Sequence, residues 1–261
     1  MIFAGVDLAW SDKKPTACAF LKIESGTLAL DSIAEVTSDA EIVDCLVGRL
    51  GENSSLIAID APLIVPNRDR QRLADKLCGK LFWQYEASAL SVNRSKAWHL
   101  RGGVIAKRLE AAGLVHDPLI GSSEAGGRFF EVYPHPAMVV LGNLSRTLKY
   151  KGKHPRPVRL GAFVQYENLL AKFLDISAIR RSADELAGKK LKAYEDALDA
   201  IFCAVIAWYA WRNPSECALL GTIQDGYILT PVFEHMKLQV RSIDQLRRPP
   251  QNGPIWRGLP T

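Results

Sequence analysis

Several familiar assignments are ruled out by what this chain lacks. Its five cysteines, Cys18, Cys45, Cys78, Cys203 and Cys217, are an odd number with no CxxC or CxxH spacing. That argues against a zinc finger or a disulfide framework and leaves buried thiols in a reducing compartment as the expectation. The opening MIFAGVDLAW has no basic region and carries Asp7 inside its apolar run, unlike a secretory leader. The most apolar stretch, Ala197 to Trp211, is interrupted by Asp199 and is shorter than the roughly 20 residues that cross a bilayer. No internal repeat or low-complexity segment occurs. A cytoplasmic protein with no membrane partner is therefore expected. With 261 residues, 48% of them apolar, the chain suits one large globular domain. A net charge of +5 is too small to name a partner by itself.

Read in order, Ile2 to Asp7 (IFAGVD) is an apolar, strand-like run ending in a carboxylate. Thr16 to Ile23 and Thr27 to Val36 flank Glu24-Ser25-Gly26, which reads as a hairpin turn, so the chain starts as a three-stranded meander. Ser38 and Glu41 have capping-box spacing, and Ile42, Val43, Leu46 and Leu50 follow at helical intervals. Leu56 to Asp60 (LIAID) is a continuous apolar run, typical of a buried parallel strand, that again ends in aspartate and is stopped by Ala61-Pro62. Residues 66 to 127 read as a helical insertion, with helix-compatible stretches at Arg70 to Tyr85 and Val104 to Ala112. Arg128 to Tyr133 forms a further strand, with Glu131 near its end and Pro134 closing it. Glu167 to Leu174 and Arg181 to Lys192 are amphipathic and feed the helix at Tyr194 to Trp211. A last strand, Gly226 to Thr230, precedes a Pro-rich tail, so residues 1 to 232 form the domain and 233 to 261 the tail.

The helix YEDALDAIFCAVIAWYAW at Tyr194 to Trp211 must bury its apolar length against a sheet. Asp196 and Asp199, three positions apart, share a face. Buried neighbouring carboxylates cost several kcal/mol per unpaired ion unless a cation joins them or one is protonated; the bland alternative is a pair of acids at an exposed N-terminal turn. Asp7 and Asp60 tip the balance, because parallel strands bring their C-terminal ends to one rim where ligands bind. A carboxylate cluster of this kind suits Mg²⁺ or Mn²⁺, and two such ions support phosphodiester cleavage. Asp7 could instead cap a turn, Asp60 could shape the Ala-Pro turn, Glu131 could pair with an arginine such as Arg128, and His135 between two prolines is expected to pack.

GVDLAW at Gly5 to Trp10, AIDAPL at Ala58 to Leu63, EVYPHPA at Glu131 to Ala137, KYK at Lys149 to Lys151, EDALDA at Glu195 to Ala200 and DGYILTP at Asp225 to Pro231 together resemble the bacterial and archaeal family of predicted RNase H-like nucleases (domain of unknown function 429). More distantly, the order of acids is similar to that of RuvC-type Holliday-junction resolvases. The resemblance implies an RNase H-like α/β fold, a mixed sheet of an antiparallel three-stranded meander plus parallel strands, with helices on both faces. On that analogy Asp7, Asp60, Asp196 and Asp199 are metal ligands, and Glu131, which belongs to the narrower family's motif, ligates or orients water.

Two acid-free stretches add cations around this cluster. Glu86 to Glu110 encloses Arg94, Lys96, Arg101, Lys107 and Arg108, with Trp98 and His99 among them. Leu144 to Leu160 holds Arg146, Lys149, Lys151, Lys153, Arg156 and Arg159, with Tyr150 and His154 interleaved. Such cations would offset the acidic pocket and bind phosphates, with Arg94, Lys96, Arg101, Lys149, Lys151 and Lys153 as contacts and Trp98 and Tyr150 stacking on bases. Solvated loops are the plain alternative. The expected function is divalent-metal-dependent hydrolysis of DNA or RNA, with the oligomeric state left open and a homodimer among the options. Its rivals are a nucleic-acid-binding protein that kept the fold without catalysis, and a nucleotide-binding phosphotransferase of the actin and sugar-kinase fold. The latter wants a glycine-rich loop after the first strand, where Leu8-Ala9-Trp10-Ser11 has no glycine.

Overall fold

A computed structural model describes residues 1–50, 54–120 and 127–247. The N-terminal meander comprises β1 (Ile2–Asp7), β2 (Thr16–Glu24) and β3 (Thr27–Val36), all antiparallel. Ser25 and Gly26 join β2 to β3 with φ of 49° and 82°, the left-handed pair whose twist matches that of the strands. Helix α1 (Asp39–Leu50) opens on the expected capping box: the Glu41 amide donates to Ser38 Oγ at 3.2 Å, and the Ser38 amide to Glu41 Oε2 at 2.8 Å. The chain then crosses to β4 (Ser55–Asp60), parallel to β1, and later to β6 (Gly127–Glu131), parallel to β4. A short edge strand β5 (Val115–His116) completes a six-stranded sheet in the order β3-β2-β1-β4-β6-β5. This is a mixed α/β sheet of antiparallel and parallel strands, consistent with an RNase H-like fold.

Helices cover both faces. On one, Ile42 and Leu46 of α1 and Ile105 and Leu109 of α3 (Arg101–Ala111) pack on Val6, Phe20, Ile59 and Phe129. On the other lie α4 (Pro134–Gly142), α5 (Arg156–Leu170) and α6 (Gly188–Arg212) against Phe3, Leu56, Ala58 and Phe130. A third cluster joins α2 (Leu73–Phe82) to a separate hairpin of β7 (Cys217–Thr222) and β8 (Gly226–Pro231).

Five features depart from the sequence reading. The segment 66–127 is more than an insertion, because α3 closes the core and β5 extends the sheet. Pro134 does not only end a strand: Pro134 and Pro136 stand in the first turn of α4, where amides have no helical partner to lose. Residues 181–187 are not helical, and α6 starts at Gly188. Strand β7 was not foreseen. Past residue 232, Met236 and Ile243 are buried, and a short helix α7 (Ile243–Arg247) follows; positions 248–261 of the expected tail lie outside the described residues. Among the described residues no helix is long and apolar enough to cross a membrane.

Helix α6 is the spine of the packing. Its 25 residues make it about 37 Å long, and Leu198 and Ala200 to Ala207 are fully buried. It crosses β1 at Gly5, where an added Cβ would collide with the Ala200 carbonyl oxygen and the Ala204 nitrogen and come within 2.8 Å of Cys203 Cβ. Two of these obstacles are backbone atoms, which cannot rotate away. Gly5→Ala is therefore expected to cost about 3 kcal/mol or more in chemical denaturation. Gly48→Ala, in exposed α1 with nothing near an added Cβ, should instead gain roughly 0.5–1 kcal/mol.

Candidate functional site

The site forms where β1 and β4 end beneath the first turns of α6. In the parallel β1–β4 pair, Asp7 is the register partner of Asp60. Side chains alternate along a strand, so Asp7 shares its face with Phe3 and Gly5, and Asp60 shares its face with Leu56 and Ala58. That is the face covered by α6. Glu131 pairs in register with Ile59 and has the parity of Phe129, so the same alternation directs it to the opposite face.

Asp199 meets the two strand acids from above and is 1% exposed. Its Oδ1 accepts hydrogen bonds from Tyr150 Oη at 2.7 Å and Tyr166 Oη at 3.0 Å, and its Oδ2 accepts from Lys151 Nζ. One turn earlier, Glu195 is 2% exposed. It pairs with Lys151 at 3.4 Å, Arg159 at 3.4 Å and Lys192 at 3.1 Å. Asp196 points further out and pairs with Lys192 along the helix. Glu195 was missed from the sequence, although four-residue spacing puts it on the face of Asp199 as surely as three-residue spacing does Asp196.

Electrostatically, this is a set of acids gathered around one lysine. Asp7 and Asp60 have no hydrogen-bond donor among the described residues, and like charges on neighbouring strands roughly 5 Å apart repel by about 3 kcal/mol. Burial, and after it Asp199, push the Asp7 carboxyl well above the usual carboxylate range, against the pull of Lys151. Burial pushes Asp60 up to about 7, with Lys151 opposing and Asp199 and Glu131 assisting. Burial would lower Lys151, but Asp199, Asp7 and Glu195 outweigh it and hold the ammonium well up.

The donors Asp7, Asp60 and Asp199 are all oxygen, the chemistry that hard divalent cations select, and two of them lack a hydrogen-bond donor among the described residues. On that ground the residues fit Mg²⁺ or Mn²⁺. Their present spacing is that of a lysine-neutralised cluster: among the described residues no three acid, histidine or cysteine side chains are already disposed to hold an ion.

The other expected site residues divide sharply. Glu131 is buried, with its carboxylate held by Arg72 at 2.7 and 2.9 Å and by the Leu63 amide at 2.8 Å. Its partner is Arg72, which also binds Asp75 at 2.9 Å, and not Arg128. Three of the expected nucleic-acid contacts need correction. Tyr150 is fully buried and donates to Asp199, so it has no face for a base. Lys151 is committed to Asp199 and Glu195. Arg101 is buried and donates to the carbonyls of Ala9, Ser11 and Thr37 and to Asp39. Lys149 pairs with Glu86, while Arg94, Lys96 and Lys153 are exposed. His135 packs between Tyr133 and Tyr150, with Nδ1 2.9 Å from Thr147 Oγ1, and burial pushes it down to about 4.

Over residues 5–220 the chain matches the family described as protein of unknown function (DUF429), and it belongs to that family. No curated protein matches it.

The raised Asp60 carboxyl has a consequence for stability. A carboxyl at about 7 when folded and at its ordinary 3.8 when unfolded favours the fold fully below pH 4 and loses that contribution as pH rises through 7. Asp60→Asn removes the titration. The variant should gain stability relative to the parent between pH 4 and 8, by an amount on the order of 2 kcal/mol. Parallel denaturation curves in chelator across that range check this, and a pH-independent difference would contradict it.

Proposed function

We propose that this protein is a divalent-metal-dependent nuclease that hydrolyses phosphodiester bonds in DNA or RNA. The observation that supports this best is the convergence of Asp7, Asp60 and Asp199 from three separate elements on one rim, two of them without hydrogen-bond donors among the described residues. Asp7, Asp60 and Asp199 would hold Mg²⁺ or Mn²⁺, which when bound polarises a phosphate and activates a water.

The chain's own residues prepare that site. Tyr150 and Tyr166 fix one oxygen of Asp199 and leave the other to a cation. Lys151 supplies the balancing positive charge. Glu195, itself paired with Arg159 and Lys192, holds Lys151 close to the rim. Asp196 adds to the negative field on Asp7 from the outer edge. Glu131 acts at one remove: it accepts from the Leu63 amide and from Arg72, which also donates to the Ile64 carbonyl, and so steadies the turn that follows Asp60. Arg94, Lys96 and Lys153 are free to draw in a polyanion, with salt-dependent affinity. All five cysteines are unpaired thiols, which supports a cytoplasmic setting.

Lys151 also favours a second reading, a nucleic-acid-binding protein in which the lysine has permanently replaced the metal. The two readings part on metal. Under the first, purified protein cuts an oligonucleotide with Mg²⁺ or Mn²⁺, titration calorimetry detects Mn²⁺, and Asp7→Asn loses cleavage to background with its fold intact. Under the second, nucleic acid binds with a steep salt slope while neither cleavage nor Mn²⁺ uptake is seen. Undiminished cleavage by Asp7→Asn would falsify the site assignment.

A further inference from the structure

The cleft beside Asp60 has an aromatic mouth that the carboxylate chemistry does not use. Its walls include Leu8, Trp10, Asp60, Pro62, Trp98 and Arg101. Trp10 is 47% exposed and Trp98 52% exposed. An exposed tryptophan leaves a large apolar face in water, and here two of them line one cleft.

The backbone that carries each indole is held firmly. Trp10 follows β1 by three residues, and the carbonyls on either side of it, Ala9 and Ser11, both accept from Arg101 Nη1, at 2.6 and 2.8 Å. Arg101 is in turn fixed by Asp39 at 3.0 Å and the Thr37 carbonyl at 3.0 Å. Trp98 stands in the helical turn Ala97–Leu100 that leads into Arg101. Gly102 brings that turn so close to the Pro62 carbonyl that a Cβ there would collide with it. Buried His99 lies between the indoles, its ring centre 5.7 Å from that of Trp10 and 5.9 Å from that of Trp98. Lys96 Nζ stands 5.8 Å from the centre of the Trp98 ring, and no acidic residue occurs between Glu86 and Glu110.

We propose that Trp10 and Trp98 form a stacking platform for unpaired bases, and that the substrate of the carboxylate site is therefore single-stranded nucleic acid. The inference rests on the nuclease reading above. An indole face can stack on a base only when the base is not already stacked in a duplex, and such stacking tolerates any sequence. The Lys96 ammonium beside the Trp98 ring would offer a counter-charge to the backbone phosphate of a stacked base. The platform borders Asp60 directly, so a strand anchored on it presents its next phosphates to Asp60 and Asp7. A peptide partner would use the apolar faces, but it would not need a cation above one of them or a carboxylate cluster at the end of the cleft.

The test is fluorescence anisotropy of labelled 12-residue DNA and RNA strands, alone and as duplexes, in chelator at fixed salt. The proteins are the parent, Trp10→Ala, Trp98→Ala and Trp10→Phe. The parent should bind the single strand more tightly than the duplex. Each alanine variant should lose about tenfold on the single strand and little on the duplex, with unchanged melting temperature, while Trp10→Phe retains most of the affinity. Equal binding of strand and duplex by the parent, or alanine variants that bind the strand like the parent, overturns the platform even if Asp7-dependent cleavage is present. Single-strand binding that needs the tryptophans, without any Asp7-dependent cleavage, upholds the platform and overturns the nuclease reading.

Discussion

The close approach of α6 to β1 at Gly5 is the constraint on which the rest depends. A hydrogen atom at that position lets the helix backbone settle against the strand, with Ala200, Cys203 and Ala204 as the facing residues. Any side chain at Gly5 would push the helix outward, and the first casualty would be the placement of Asp199 above Asp7. Packing and chemistry are thus coupled through one glycine. The apolar length of α6 supplies burial, and the small residues at the crossing convert that burial into a fixed height for the carboxylate.

That height creates an electrostatic problem, which Lys151 solves locally. Asp199 and Glu195 are both nearly inaccessible, and they share the ammonium of the partly exposed Lys151. Around them the surroundings are conspicuously polar for a core: two tyrosine hydroxyls on one oxygen of Asp199, and Arg159 and Lys192 on Glu195. Removing one partner from such a set leaves an uncompensated buried charge. The half-buried strand acids Asp7 and Asp60 stand outside this network, with no donor among the described residues, and that is the feature that ordinary structural needs do not explain. By contrast, Glu131 is satisfied by Arg72 and a backbone amide, the pattern of a residue that shapes a turn.

Much of this was legible in the sequence because it depended on period and position. The meander, the strand ends at Asp7 and Asp60 and the buried run of α6 all follow from alternation, turn residues and apolar length. Glu131 shows where that reasoning stops: it ends a strand just as Asp60 does, but the one-residue difference in parity sends it to the other face, and parity against the core is visible only once the register is known. The basic stretches misled for a related reason. A basic stretch does not say which of its residues turn inward: Lys151, Arg101 and the interleaved Tyr150 do, while Arg94, Lys96 and Lys153 remain outside. The role of Trp10 is not legible in GVDLAW, because its placement depends on Arg101 gripping the carbonyls on both sides of it. Helix α4 was hidden by prolines that stop a strand and start a helix equally well.

The contest between Lys151 and a divalent ion for the same carboxylates is open to direct observation. Crystals grown without metal and then soaked in Mn²⁺ would report it through anomalous scattering. The carboxylate assignment predicts a peak among Asp7, Asp60 and Asp199, with the Lys151 ammonium displaced from Asp199. A Mn²⁺-soaked crystal with no peak there, and with Lys151 still bound to Asp199 and Glu195, would contradict it.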